Sequence, residues 1–426
     1  MSSSAFHWDE PSASLRQESV ARFNAFLHET KTRLHEVLKT PSDAIVHVMI
    51  GNEAADADSI VSSLVYAYYR EHINKTEAHT ERTLFIPVLP IPRDELALRC
   101  DVSSLFSSLG IDVSSILFVD EFPWRHEVFQ TQRRLRMTLL DHNALNTKRI
   151  AAEVPADELA EVVEILDHHM DIGCHTHALH REIAFENGQA LVASCCTIVA
   201  EKVLESKHHD PHVHALASTL LLAVIALDSV NFDPAAKKVT PRDIAAADKL
   251  EALSFSKRGD LFKWLQAEKF NIAHWNAFTI TNCLQCDYKE FSIHGSTREQ
   301  YGVSAVLIPI HELIHKATSA ADFSSTLQSY CDVNNLSFLV VMSMVFFPDG
   351  SRRRDILFFE PGDDQTFTKK CVTYFMHEGS LQLEKLNDLP LVQSDSRITA
   401  FNQKNTGASR KQVVPLIQQA LAPSSL

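Results

Sequence analysis

The chain has 426 residues, 45% of them hydrophobic and 22% charged, with a formal net charge of −14. The length suggests two domains or three, and the composition is that of a folded globular protein, which argues against extensive disorder. The acidic balance argues against a general nucleic-acid binder, whose footprint would be broadly basic, yet a local cluster of cations could still meet an anionic substrate. The N-terminus, MSSSAFHWDEPSAS, lacks a basic segment followed by an apolar core, so no signal peptide is expected and the protein reads as cytoplasmic. The eight cysteines are scattered, and a disulfide framework is not expected in so long a chain without an export signal. The lone C-x-x-C, Cys283 and Cys286, supplies half a zinc site at most.

Taken in order, AIVHVMI (44–50), TLFIPVL (83–89), SILFV (115–119), RMTLLD (136–141), VVEILD (162–167) and REIAFE (181–186) read as strands. Helical patterns lie between several of them, over 61–72 and 95–110 for example. This alternation predicts an α/β layer structure with a largely parallel sheet, in which ligands gather outside the carboxyl ends of the strands. The apolar run ALASTLLLAVIAL (215–227) is too short to span a bilayer and predicts a buried helix, with no membrane involved. The polar segment 234–258 is the candidate boundary. Beyond it FTITNC (278–283), VSAVLIPI (303–310), LSFLVVMSMVFF (336–347) and DILFFE (355–360) read as strands, with helices over 311–332 and 410–421. That half predicts a separate α+β domain.

Acidic and imidazole groups recur where the apolar elements of the first half stop. Asp56 and Asp58 follow the first strand in GNEAADADS, and Asp141 ends LLDHN. Asp167, His168 and His169 end ILDHH, and Asp228 stands in ALDSVNFD. In a parallel sheet these ends converge on one edge. Carboxylates suit hard divalent cations, and imidazole adds affinity for manganese, cobalt or zinc. Two ions about 3.5–4 Å apart polarise a phosphoryl oxygen and lower the pKa of water, which is the chemistry of phosphoryl hydrolysis. Taken singly, each aspartate is equally well a turn former or a helix cap. Gly51 is expected to let the chain turn sharply off its strand.

GNEAADADS, LLDHN, ILDHH and ALDSVNFD, in this order, resemble the four motifs of the DHH phosphoesterase superfamily. ASRKQVVP (408–415) and CDYKEF (286–291) are similar to the S-R-K signature and the lysine-bearing strand of the DHHA2 domain, found in family II inorganic pyrophosphatases and exopolyphosphatases. The glycine-rich GGGH motif of other branches is not found. The resemblance covers most of the chain. It implies an α/β architecture: a largely parallel-sheet DHH domain over 1–250 and a smaller α+β DHHA2 domain over 260–426, with the active site in the cleft between them.

The first motif separates the branches. Family II pyrophosphatases carry G-H-x-x-P-D-x-D, whereas Asn52 stands here in the histidine position. The G-N-E form and DPAAKKVTPRD (233–243) resemble the exopolyphosphatase and prune-like branch. An asparagine offers only a weak amide oxygen where imidazole would bind a transition metal strongly, so Mg²⁺ is expected over Mn²⁺ or Co²⁺.

The resemblance further implies that Asp56, Asp58, Asp141, His168 and Asp228 ligate two divalent ions, with Asp141 and Asp228 contacting both or bridging them. Asp141, Asp228 and His169 would carry catalysis, His169 meeting the substrate as a phosphate contact or as an acid for the leaving oxygen. Asp167 would orient a neighbouring histidine, and His142 and Asn143 would line the pocket. Lys289, Arg410 and Lys411 would bind the phosphate chain, with Arg353 of the GSRRRD turn (350–355) and Lys238 as distal contacts. The helix begun in VASCCTIVAEKVLE (192–205) would start beside the metals with its N-terminus facing phosphate, leaving Cys195 and Cys196 as packing residues. The implied activity is that of an exopolyphosphatase releasing the terminal phosphate of inorganic polyphosphate, in a monomer. The alternatives are a family II-type pyrophosphatase, or a prune-like signalling protein with weak short-chain polyphosphatase activity, which the lack of a long polar tail disfavours.

HELIH (311–315) matches H-E-x-x-H, the zinc helix of metalloproteases. No H-x-x-G-x-x-H extension follows, and a chance match to so short a pattern is common, so a protease is the weaker reading. The histidines of GCHTHALH (173–180) and SKHHDPHVH (206–214) read as surface or loop residues.

Overall fold

The computed structural model describes residues 6–9, 12–39, 43–77, 82–132, 134–147, 150, 159–293, 299–347, 349, 351–362, 364–387, 389 and 395–422. The chain divides into two compact units, Met1–Lys269 and Phe270–Leu426.

The first unit opens with α1 (Ala13–Lys39) and then alternates strand and helix: β1 (Ile45–Ile50), α2 (Ala57–Thr76), β2 (Thr83–Leu89), α3 (Cys100–Leu109), β3 (Leu117–Phe118), α4 (Glu127–Gln132), β4 (Leu135–Leu140), β5 (Glu161–Asp167) and β6 (His180–Ile183). These strands form one parallel sheet in the order β3-β2-β1-β4-β5-β6. The runs are apolar at nearly every position because both faces are covered. Val46, Val48, Ile86 and Leu139 pack into one layer with Leu34 and Trp124. Met49, Phe85 and Leu166 pack into the other with Phe23, Leu64 and Leu221.

The strand order reverses between β1 and β4, and ligands of such sheets bind in the crevice outside the carboxyl ends of the strands at that switch point. REIAFE does not form one strand: β6 ends at Ile183, and Phe185–Glu186 (β7) pairs with Gln189–Ala190 (β8) in a separate hairpin.

Among the described residues, four further helices complete this unit: α5 (Cys195–Leu204), α6 (Pro211–Asp228), α7 (Pro241–Glu251) and α8 (Arg258–Lys269). Asp210 caps α6 by accepting from the His212 and Val213 N–H groups, with Pro211 in the first turn. By length and composition α6 could cross a membrane, but every residue from Val213 to Leu227 is buried within the unit. It is longer than the apolar run 215–227, since its cap and first turn are polar. The polar segment 234–258 lies wholly inside the first unit, because α8 packs on α6 and α3.

The second unit holds α9 (Ile272–Ala277), α10 (Ile280–Gln285), β9 (Tyr288–Ser292), β10 (Gln300–Val306), α11 (Ile310–His315), α12 (Ala320–Asn334), β11 (Phe338–Phe346), β12 (Arg352–Phe359), α13 (Thr366–Glu378), β13 (Leu383–Lys385), β14 (Ile398–Gln403) and α14 (Arg410–Leu421). Its sheet runs β13-β14-β12-β11-β10-β9, parallel only between β10 and β11. FTITNC, expected as a strand, instead ends one helix and begins another: Phe278 and Thr279 are cap residues and 280–283 open α10. Thr279 and Asn282 form a reciprocal capping box that starts α10, and this local hydrogen bonding outweighs the β-branched composition. The three arginines of GSRRRD lie on β12 rather than on a turn; Gly350 lies outside the described residues.

Candidate metal centre

β1 ends at Ile50, and the next residues form a tight turn in which Ala55 N–H donates to the Asn52 carbonyl at 3.0 Å. Asp56 then caps α2, accepting from Ser59 N–H at 3.1 Å, so Asp58 falls in the first helical turn, where a carboxylate is favoured. Gly51 is not in the left-handed region, so the turn does not require it for its φ. It is required by close approach: a Cβ there would sit 2.6 Å from Ser59 Cβ and 2.7 Å from the Ser59 carbonyl.

Asp141 leaves β4 with φ +63°, a conformation an aspartate adopts at some cost. Its Oδ2 accepts from Asn52 Nδ2 at 2.6 Å and from Ser59 Oγ at 2.9 Å. Its Oδ1 faces His168 Nε2 at 3.2 Å and His169 Nδ1 at 3.5 Å. Asn52 is therefore not placed as an amide-oxygen ligand. Its Oδ1 already accepts the Ala54 N–H at 2.9 Å, and its NH₂ group holds Asp141.

The two histidine rings are each held at Nδ1, by different partners. The Val192 carbonyl lies 3.1 Å from His168 Nδ1 and fixes the proton there. Nε2 then carries its lone pair inward, 3.7 Å from Asp58 Oδ2. Asp167 Oδ1 accepts from His169 Nδ1 at 2.8 Å and from the backbone N–H groups of His168 and His169, which fixes the other ring. Burial pushes the Asp167 carboxyl up, but the His169 hydrogen bond and the nearby imidazoles hold it at about 2. Asn143 donates to Asp167 Oδ2 at 2.6 Å and to the Met170 carbonyl at 3.0 Å, bracing the histidine loop from behind.

Asp58 is gripped from the other side. Ser194 Oγ donates to Oδ1 at 2.6 Å, Cys196 N–H to Oδ1 at 2.8 Å and Cys195 N–H to Oδ2 at 2.7 Å. The N-terminal amides of α5, expected to face phosphate, are thus engaged by Asp58. Asp243, fully buried, anchors the same helix start by accepting from Ala193 N–H at 3.0 Å and Thr197 Oγ1 at 2.6 Å.

Asp228 closes α6, where the helix dipole disfavours a carboxylate. Burial and then Asp56 push it up to about 6, against the ammonium groups of Lys269 and Lys238. Its Oδ2 is buried with no hydrogen-bond partner among the described residues. Burial, then Asp141 and Asp228, also push Asp58 well above the ordinary carboxylate range. Lys269, 3.2 Å from Asp101 Oδ2, was not singled out by the sequence; burial opposes its charge, but Asp101, Asp228 and Asp56 hold its pKa high. Nothing local marks it, because it approaches Asp228 only through the packing of α8 on α6.

A divalent cation fits this set. Asp141, His168 and His169 present ligand atoms all within 4.8 Å of one another, and His168 Nε2 lies 3.2 Å from Asp141 Oδ1 and 3.7 Å from Asp58 Oδ2. The structure brings together Asp58, Asp141, His168 and His169, and beside them Asp56 helps to push the Asp228 carboxyl up.

The residues expected to bind the phosphate chain, Lys289, Arg410 and Lys411, belong to the second unit. Arg410 Nη2 lies 2.6 Å from Asp287 Oδ1 and its Nη1 donates to the Asp287 carbonyl at 3.1 Å. Lys289 is on β9, two residues after Asp287, and Lys411 is exposed in the first turn of α14. Arg353 is held by Asp355 at 3.0 Å, and Arg354 is buried, so neither is the loosely solvated arginine of a hairpin tip. His311 and His315 face each other across one turn of α11 with ring centroids 6.1 Å apart, but no third ligand joins them among the described residues. The same holds for Cys283 and Cys286.

A model of the DHH family N-terminal domain matches residues 47–227, and a model of the DHHA2 domain matches 263–420. The chain is 31% identical over 380 residues to exopolyphosphatase PRUNE1 of Homo sapiens, covering 88% of this chain and 76% of that protein. The Bos taurus protein of the same name matches with the same identity and coverage. Among solved structures, a Methanococcus jannaschii "putative family II inorganic pyrophosphatase" superposes with a TM-score of 0.53 at 17% identity, covering 88% of this chain and 99% of the other.

Proposed function

The chain belongs to the DHH family, in its exopolyphosphatase-like branch with a C-terminal DHHA2 domain, and from that premise we propose that it hydrolyses the terminal phosphoanhydride of inorganic polyphosphate. The observation that carries this reading is the convergence of His168 Nε2, Asp141 Oδ1 and Asp58 Oδ2, three lone-pair atoms with the imidazole proton held on the far side by Val192. Such a set suits metal-assisted phosphoryl chemistry.

In this reading Asp56, Asp58, Asp141, His168 and Asp228 hold two divalent ions, with Mg²⁺ preferred over Mn²⁺ or Co²⁺ because Asn52 adds no nitrogen ligand. Bound there, the ions would supply charge to the phosphoryl oxygens and acidify water. The protein's own part is positional. Asn52 and Ser59 fix Oδ2 of Asp141, so that Oδ1 points inward. Asp167 fixes the His169 ring, which would meet the substrate as a phosphate contact or as an acid for the leaving oxygen. Lys289, Arg410 and Lys411 neutralise the phosphate chain, Arg410 with its planar group already oriented by Asp287.

The names of the relatives and the role of Asn52 favour polyphosphate over pyrophosphate; the likeness to the Methanococcus jannaschii structure supports the fold alone. Phosphate release from pyrophosphate, tripolyphosphate and long-chain polyphosphate, each with Mg²⁺ and with Mn²⁺, tests the proposal. Pyrophosphate as the dominant substrate would replace it with the pyrophosphatase reading. Feeble turnover of short chains alone would favour the signalling reading.

A further inference from the structure

We propose that Arg99 is a positioning residue for the divalent-cation centre, acting through the turn that carries Asp56 and Asp58. The inference rests on the metal-binding reading above.

Arg99 follows the 3₁₀ turn Arg93–Leu98 and is 3% exposed. Its Nη2 donates to the Ala54 carbonyl at 2.6 Å, and its Nε lies 3.2 Å from that oxygen and 3.3 Å from the Ala55 carbonyl. Nη1 reaches the Glu95 carbonyl at 3.3 Å, with Glu95 Oε2 3.6 Å away. A single guanidinium therefore takes two successive carbonyls of the metal-binding turn, at residues that are completely buried. Buried carbonyls need donors, and this pair needs them in one plane, which is what the arginine fork provides and a lysine ammonium does not.

The turn also carries strain. Ala55 sits at φ +48°, a left-handed conformation that a non-glycine residue keeps only where its surroundings hold it. Asp56 is the next residue, caps α2, and fixes where Asp58 emerges. Relaxation of Ala55 would move both carboxylates together. Arg99 is 45 residues from Ala54 in the chain, so it holds the turn from outside.

The test uses the full chain with Mn²⁺ alone as the probe, by isothermal titration calorimetry, with circular dichroism and thermal melts as controls. Arg99→Lys and Arg99→Gln are expected to fold and to bind Mn²⁺ about 10–100-fold more weakly, as is typical when the support of a ligand is removed. Ala55→Gly in the Arg99→Lys background relieves the left-handed strain and is expected to recover much of that affinity. If both single variants bind Mn²⁺ as tightly as the unaltered chain, or merely melt lower with affinity unchanged, the proposal is wrong. Should one variant fail to fold, the other and the Ala55→Gly rescue decide. Absence of Mn²⁺ binding by the unaltered chain, with Mg²⁺ titrated in parallel and equally unbound, overturns the metal-centre reading itself, and this inference with it.

Discussion

Asn52 donates its side-chain amide to Asp141, Nδ2 lying 2.6 Å from Oδ2 and 3.2 Å from the backbone carbonyl. The residue that distinguishes this chain's first motif therefore supports a metal-ligand candidate rather than joining the ligands. Asn52→Ala removes that support and should lower polyphosphate turnover about 10–100-fold. Asn52→His introduces an imidazole at the end of β1 and should shift the preferred cation from Mg²⁺ toward Mn²⁺. Activity measured across both cations checks the pair; an Asn52→His enzyme with unchanged preference would refute the argument.

Asp141→Ala should reduce phosphate release by at least about a thousandfold, a barrier increase of several kcal/mol. The fold should survive, because the substitution also removes one of the carboxylates that push Asp58 up. Far-ultraviolet circular dichroism and phosphate release on the same preparation suffice, and near-normal turnover would dismiss Asp141 from the site.

Gly51→Ala places a methyl group 2.6 Å from Ser59 Cβ. The clash lies against the backbone of α2, so relief requires moving the helix that carries Asp58. A loss of about 1–3 kcal/mol of stability is expected, with activity falling further than stability. Urea unfolding beside the phosphate assay separates the two, and a variant of unchanged stability would show that the helix moves freely.

His47 is a buried residue of β1, its Nε2 2.8 Å from Thr138 Oγ1, which in turn donates to Glu164 Oε2 at 3.1 Å. Burial first, then Arg70 and Arg136, push the imidazole down to about 3, so it is neutral when folded. The unfolded chain protonates it below about 6.5. Between those values the unfolded state binds one more proton, so this residue's contribution to stability falls as the pH falls, by about 1.4 kcal/mol per pH unit. The stability advantage of the natural chain over His47→Gln should therefore shrink between pH 7 and pH 5. An advantage equal at both pH values would contradict the assignment.

Much of the first unit is legible because its strands are apolar on both faces and regularly spaced: TLFIPVL is β2 over the same residues, and the ends of β1, β4 and β5 carry the acidic and imidazole groups. FTITNC misleads because its capping box is a four-residue pattern hidden in a β-branched run. Gly51 misleads differently: its need is the proximity of Ser59, which a local turn rule does not describe.

The sequence by itself determined which groups can meet a cation, since aspartate and histidine recur where apolar elements stop and a parallel sheet aligns those ends. Only the tertiary structure decided what each group is free to do. Asn52 and Asp141 are 89 residues apart, Arg99 and Ala54 are 45 apart, and Ser194 and Asp58 are 136 apart. A hydrogen bond between such residues leaves no local trace in the chain, because its donor and acceptor meet only after β1, β4, α2 and α5 have packed.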